Sequence, residues 1–290
     1  MGGSIKDGEI KSQKWGGFSP TFWEYSLAAQ LNDIEYFDFP LNLNDISRPF
    51  IKKEELFYFI DRYNLRAFFI CNPNNPTGHV FSDDIVYEIA ERFPQTYIIL
   101  DLTYDMFEEG FEGRVKKLNK DYPNIIFVMS YSKFFCLPGL RIGSVLFSCS
   151  KLAEKFLRLS GPLRINNFAE KILLRLFEDH SYISTTRNTL KQEWKIFEEE
   201  FRGENITKIY SLHQTNSFRL FYLNIQNITV YRPSEVSNIV SHKLLDEYGI
   251  RVCNGSTYGI NNAIRIRVGL KYSNLYLIYA LKNILSDIVP

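Results

Sequence analysis

The chain has 290 residues, of which 45% are hydrophobic and 23% charged, with 34 Lys plus Arg against 33 Asp plus Glu for a net charge of +1. That length and apolar content can bury a large core, and the balanced charge excludes a global field that would gather nucleic acid or an anionic membrane. The four cysteines, Cys71, Cys136, Cys149 and Cys253, are far apart and lack metal-ligand spacing, so they are read as reduced thiols with no metal site.

From the N-terminus, "MGGSIKDGEIKSQKWGG" lacks the apolar segment of a signal peptide, and no apolar run approaches a membrane span, so a cytoplasmic protein is expected. In "KKEELFYFIDRYN" the apolar Leu56, Phe57 and Ile60 fall on one helical face, and "RAFFIC" then reads as a buried strand. The polar turn "NPNNPTG" follows. "SDDIVYEIAERF" predicts a helix with Ser82 as its cap and acidic residues in its first turn. "TYIIL", ending at Asp101, and "NIIFVM", ending at Ser130, are two further strands. Strands alternating with helices predict an α/β fold with a largely parallel sheet flanked by crossover helices. Three helical patterns come next, "KLAEKFLRL", "NFAEKILLRLFED" and "STTRNTLKQEWKIFEEEF". The last stretch reads as a small α+β unit: strands at "ITKIYS", "SFRLFYLNI", "IRVC" and "AIRIRVGL", with helices at "RPSEVSNIVSHKLLDEYG" and "SNLYLIYALKNILSDIV".

Ligands of open parallel sheets sit beyond the carboxyl ends of the strands. The polar residues at those ends are Asn72, Asn74, Asn75 and Thr77, then Asp101, Thr103 and Tyr104, then Ser130, Ser132 and Lys133, with Arg141 in "PGLRIG". Each has an ordinary reading when taken singly. Asn, Pro and Gly are turn formers, Asp101 can cap a helix, a lysine is usually solvated, and Arg141 can pair at the surface. One ligand accounts for all of them together. Pyridoxal 5'-phosphate needs an amine for its aldehyde, a carboxylate for its ring nitrogen, and hydroxyls with a guanidinium for its phosphate.

"NPNNPTG", then "DLTY", then "SYSK" followed by "PGLRIG", in this order and spacing, resembles the class I/II aminotransferases of PLP-transferase fold type I. "PTFWEYSLAAQLNDIEYFDFPL", "KFFCLPGLRIG" and "AIRIRVGLKYSN" are most similar to the branch that holds histidinol-phosphate aminotransferase and threonine-phosphate decarboxylase. The resemblance implies that Lys133 is the Schiff-base lysine and proton carrier, that Asp101 holds the ring nitrogen, and that Asn75 and Tyr104 hold the ring oxygen. It assigns Ser130, Ser132 and Arg141 to the phosphate, and Arg265 and Asn167 to the substrate, Asn167 having a helix cap as its other reading. Arg267 is expected to face away.

By the same resemblance, residues 1–155 form an incomplete large cofactor-binding domain, 156–204 bridging helices and 205–290 a small C-terminal domain. The family carries a further N-terminal segment with a glycine loop that cradles the cofactor phosphate, and "MGGSIKDGEIKSQKWGG" is not read as that cradle. The expected activity is amino transfer between a small amino acid, phosphorylated or not, and a 2-oxo acid, by a homodimer that engages neither nucleic acid nor membrane. Two alternatives stay open: a decarboxylase of the threonine-phosphate type, and a shortened, non-catalytic homologue that has lost the cofactor.

Overall fold

The computed structural model describes residues 13–43, 50–118, 122–161, 165–201, 209–211, 213, 215–223 and 233–288. The first half alternates strands and helices: β1 (Lys14–Ser19), α1 (Glu24–Gln30), β2 (Glu35–Pro40), α2 (Lys53–Tyr63), β3 (Ala67–Cys71), α3 (Asp83–Arg92), β4 (Tyr97–Asp101), α4 (Phe111–Leu118), β5 (Ile125–Ser130) and β6 (Gly143–Phe147). Among the described residues these strands form one sheet in the order β2-β1-β3-β4-β5-β6. It is parallel up to β5, and β6 closes its edge antiparallel.

Three helices, α5 (Ser150–Leu159), α6 (Asn167–Glu178) and α7 (His180–Glu200), connect to the second half. There β7 (Ile209–Ser211), β8 (Arg219–Leu223), α8 (Pro233–Tyr248), β9 (Cys253–Asn254), β10 (Ala263–Ile266) and α9 (Lys271–Ile288) follow in turn. Their strands make a second sheet, β7-β8-β10-β9, with every pairing antiparallel. The largely parallel sheet expected from the alternating pattern is present. Of the strands expected at "ITKIYS" and "SFRLFYLNI", residues 206–208 and 224–225 lie outside the described residues, and the ladder expected at "IRVC" begins only at Cys253.

The strand β1 was not foreseen, and its glycines explain why. A Cβ on Gly16 would lie 2.9 Å from the Phe37 carbonyl, and one on Gly17 2.9 Å from the Phe69 carbonyl. Close approach of neighbouring backbones therefore demands glycine in mid-strand, which removes the apolar side chains by which a strand is recognised.

Phe18, Phe68, Ile70, Ile98, Leu100, Ile125 and Phe127 fill the first core together with Leu56 and Ile60 of α2 and Val86 and Ile89 of α3. A second core joins Trp194 and Phe197 of α7 to Ile264 and Ile266 of β10, Val240 and Leu244 of α8, and Leu281 and Ile284 of α9. Each such fully buried apolar side chain contributes roughly 1.5–3 kcal/mol.

Asn124, 5% exposed, is the polar fastener of the first core's lower edge. Its amide nitrogen donates to the carbonyls of Ala90 at 3.0 Å, Phe93 at 3.2 Å and Thr96 at 3.0 Å, tying the end of α3 to the start of β5. Asn124→Ala strands these carbonyls, so the urea unfolding free energy should fall by about 1–3 kcal/mol. An unchanged unfolding midpoint would show that the amide adds nothing.

Candidate functional site

Parallel register sets Cys71 of β3 beside Asp101 of β4, and Asp101 beside Val128 of β5. These three residues, at or near their strand ends, line a cleft of about 350 Å³. Ser130 ends β5, and the turns beyond the strands add Asn75, Thr103, Tyr104, Ser132, Lys133 and Arg141, while Phe22 and Glu24 come from the α1 side and Tyr258 and Arg265 from the side of the second sheet. Of the residues expected from sequence, Asn75, Asp101, Tyr104, Ser130, Ser132, Lys133, Arg141 and Arg265 thus meet in one place. Asn167 does not join them. It is exposed in the first turn of α6, and its neighbour Asn166 is the cap, accepting from the Ala169 N–H at 2.7 Å.

Asp101 is held from both sides. The Tyr25 phenol donates to Oδ2 at 2.6 Å, and the Thr103 N–H donates to Oδ1 at 2.9 Å. Tyr25 is buried and stacks on Phe69 with ring centroids 5.0 Å apart. Burial, then the nearby Cys71 and Asp101, push its phenol well above the usual range, so it remains a neutral donor. Burial likewise pushes Tyr104 up to about 12 against the opposing pull of Arg265. The edge of the Tyr104 ring meets Phe218 at 4.8 Å.

The "NPNNPTG" turn divides its work. Asn72 exchanges two hydrogen bonds of 3.0 Å with the Phe81 backbone, and Asn74 donates to the Pro20 carbonyl at 3.0 Å and to Thr77 Oγ1 at 2.9 Å. Thr21 Oγ1 donates to Asn74 Oδ1 at 2.7 Å, which fastens the loop before α1 to the turn. Gly78, at φ +75°, closes it in the left-handed region. Those asparagines are fully buried and structural, and Asn75 is the one that faces the cleft.

Asn75 Oδ1 accepts from Arg265 Nη1, so a residue in the turn after β3 positions an arginine of the second sheet. The guanidinium also lies over the Phe218 ring at 5.1 Å. Across the cleft, Ser130 Oγ and Ser132 Oγ share a hydrogen bond of 2.8 Å, and the Ser130 N–H donates to Thr103 Oγ1 at 3.3 Å. Arg141, in the left-handed region at φ 49°, leaves its guanidinium exposed at the rim beyond a 3.4 Å bond to the Pro138 carbonyl. Lys133, in the turn after β5, is exposed and has no ion-pair partner among the described residues.

Tyr25, Cys71 and Tyr258 were missed from sequence. Cys71 was legible in principle, because two parallel strands ending at Cys71 and Asp101 must set those residues abreast. Tyr25 was hidden with β1, since its place depends on an unrecognised strand and the loop that follows it. Among the described residues there is no cluster of three or more His, Cys, Asp or Glu suited to a metal, and no helix long and apolar enough to cross a membrane.

Residues 17–280 match the family model of aminotransferase class I and II. A histidinol-phosphate aminotransferase from Campylobacter lari is 24% identical over 261 residues, an alignment that covers 88% of this chain and 66% of that relative. The chain therefore spans just under two thirds of that relative's length. Among solved structures, the histidinol-phosphate aminotransferase from Clostridium acetobutylicum superimposes with a TM-score of 0.80 at 24% identity, covering 95% of this chain and 78% of that one. The L-threonine-O-3-phosphate decarboxylase from Porphyromonas gingivalis does so with a TM-score of 0.70 at 20% identity, covering 95% and 77%.

Replacing Tyr25 by Phe keeps the ring stack and deletes only the donor to Asp101. Because that acceptor is a carboxylate, the loss should be about 1.5–3 kcal/mol in urea unfolding at neutral pH. An unfolding curve identical to the parent's would mean that the bond contributes nothing to the folded state.

Proposed function

The chain belongs to the class I and II aminotransferases, and from that premise we propose that it is a pyridoxal 5'-phosphate-dependent enzyme transferring an amino group between a small amino acid and a 2-oxo acid. The observation that carries this reading is the donor set of one cleft: an amine, a braced carboxylate, a neutral phenol, paired hydroxyls and guanidinium groups on opposite walls. Each has a counterpart on the cofactor or on an amino acid. When bound, the cofactor supplies an electron sink for charge that develops at the substrate α-carbon.

The chain's own residues do the rest. Lys133 is the amine that would hold the cofactor's carbonyl carbon, and it carries a proton to and from the substrate α-carbon. Asp101 would hold the ring N–H, and Tyr25 with the Thr103 N–H keeps its two oxygens from turning away. Tyr104 would donate its phenolic proton to the ring oxygen, a role that its elevated pKa preserves across the physiological range. Ser130, Ser132 and Arg141 would take the phosphate.

Arg265 offers the substrate carboxylate a planar fork, which the bond to Asn75 and the Phe218 ring hold in orientation. A lysine could not reproduce that fork. Relatives named histidinol-phosphate aminotransferase support a phosphorylated amino substrate as the first to assay. A homodimer is part of the same reading. Its support is the outer surface of α5, which buries none of its residues, where Phe156, Leu157 and Leu159 are 42%, 46% and 79% exposed.

Incubation with pyridoxal phosphate, borohydride reduction and peptide mass mapping test the assignment directly. The parent chain and Lys151→Ala should carry a pyridoxyl adduct on the peptide containing Lys133, and Lys133→Ala should carry none there. An adduct that persists at full level in Lys133→Ala would overturn the site. Amino-acid assays that follow keto-acid formation and CO₂ release then separate amino transfer from decarboxylation.

A further inference from the structure

A larger cavity, of about 720 Å³, lies on the second sheet beside the start of α9. Arg251, Arg265 and Arg267 line it, and among the described residues no Asp or Glu does. The antiparallel register pairs Arg265 with Cys253. Continued by two residues, it sets Arg267 opposite Arg251, and side chains two apart along a strand share a face. Arg267 therefore does not face away from Arg265: both line this cavity. Like charges set directly opposite on neighbouring strands repel.

No ion pair in the described part of the chain relieves that repulsion. Arg251 and Arg267 are exposed and make no ion pair or hydrogen bond among the described residues. Arg267 also borders a neighbouring cavity that includes Asp179. Asp179 accepts from Ser181 Oγ at 2.6 Å and from the Tyr182 N–H at 2.9 Å, both on Oδ1, and makes no ion pair with Arg267 among the described residues. The first helical bond of α9 runs from the Asn274 N–H to the Leu270 carbonyl at 3.0 Å. Leu270 has no side-chain acceptor, so the first-turn N–H groups ahead of Asn274 add positive potential to the same space.

We propose that this cavity binds a dianionic phosphate group between Arg251 and Arg267, as inorganic phosphate or as a phosphate monoester. Two guanidinium forks supply the paired donors that phosphate oxygens accept. Tyr248 and Tyr276, with ring centroids 6.2 Å apart at the rim, present apolar faces to an organic remainder. The site is separate from Ser130, Ser132 and Arg141, and does not depend on the cofactor reading. Arg265 is common to both cavities, so a phosphate here sits beside the guanidinium that faces the cleft.

Titration of the full chain with inorganic phosphate at constant ionic strength, followed by isothermal calorimetry, tests the proposal. Arg251→Gln and Arg267→Gln should each weaken a saturable binding event at least tenfold, and Arg141→Gln should leave that event in place. Circular dichroism of each variant confirms that the fold is kept, and Arg267→Lys should recover part of the affinity through its retained charge. O-phosphoserine titrated into Arg265→Gln identifies the source. Binding as tight as in the parent points to an independent phosphate compound, and a loss that inorganic phosphate does not share points to an amino substrate anchored by its carboxylate on Arg265. Absence of saturable binding, or binding abolished by Arg141→Gln and untouched by the other two substitutions, overturns the proposal.

Discussion

The parallel register of β3, β4 and β5 is the constraint on which the rest of the molecule depends. Strands covered by helices on both faces must be apolar along their length, so polar chemistry can appear only where they end. Because the three strands advance in step, Cys71, Asp101 and Val128 form a single row, and Ser130 follows Val128 on the same face. The turns that follow are then obliged to converge on one cleft. A slip of one residue in any strand would turn its end residue to the opposite face.

A second constraint joins the two sheets. Arg265 leaves β10 and donates to Asn75 in the turn after β3. Asn216, just ahead of β8, accepts through its carbonyl from the Trp194 indole at 2.9 Å, while its N–H donates to Glu108 at 2.8 Å and its amide to the Phe107 carbonyl at 3.2 Å. These bonds bridge long sequence separations in partly buried surroundings, where an unmet donor is costly. They tie the two halves together across the cleft that both Lys133 and Arg265 line.

Charge is distributed locally in a chain that is nearly neutral overall. Basic groups gather on the two cavities, Lys133, Arg141 and Arg265 in one and Arg251, Arg265 and Arg267 in the other. Two other arginines are matched by carboxylates. Arg219, buried, pairs with Glu198 and lies over the Trp194 ring at 4.4 Å, and Arg114 pairs with the buried Asp105. Burial still pushes the Asp105 carboxyl up to about 6, because desolvation outweighs the attraction of one guanidinium.

The sequence by itself determined the alternation of strands and helices and the identity of most groups in the cleft. Apolar runs and turn residues are local signals, and a parallel sheet turns them into a common address at the strand ends. Tertiary structure alone decided three matters. It placed β1 in the sheet although Gly16 and Gly17 erase its pattern, and with β1 it delivered Tyr25 to Asp101. It separated Asn75, which faces the cleft, from Asn72 and Asn74, which spend their amides on the fold. It also set Arg251 on one face with Arg265 and Arg267, which are distant from it in the chain and reach it only through the β9–β10 pairing. In each case the deciding quantity is a contact between residues distant in the chain, set by packing and register, and no local pattern of side chains encodes it.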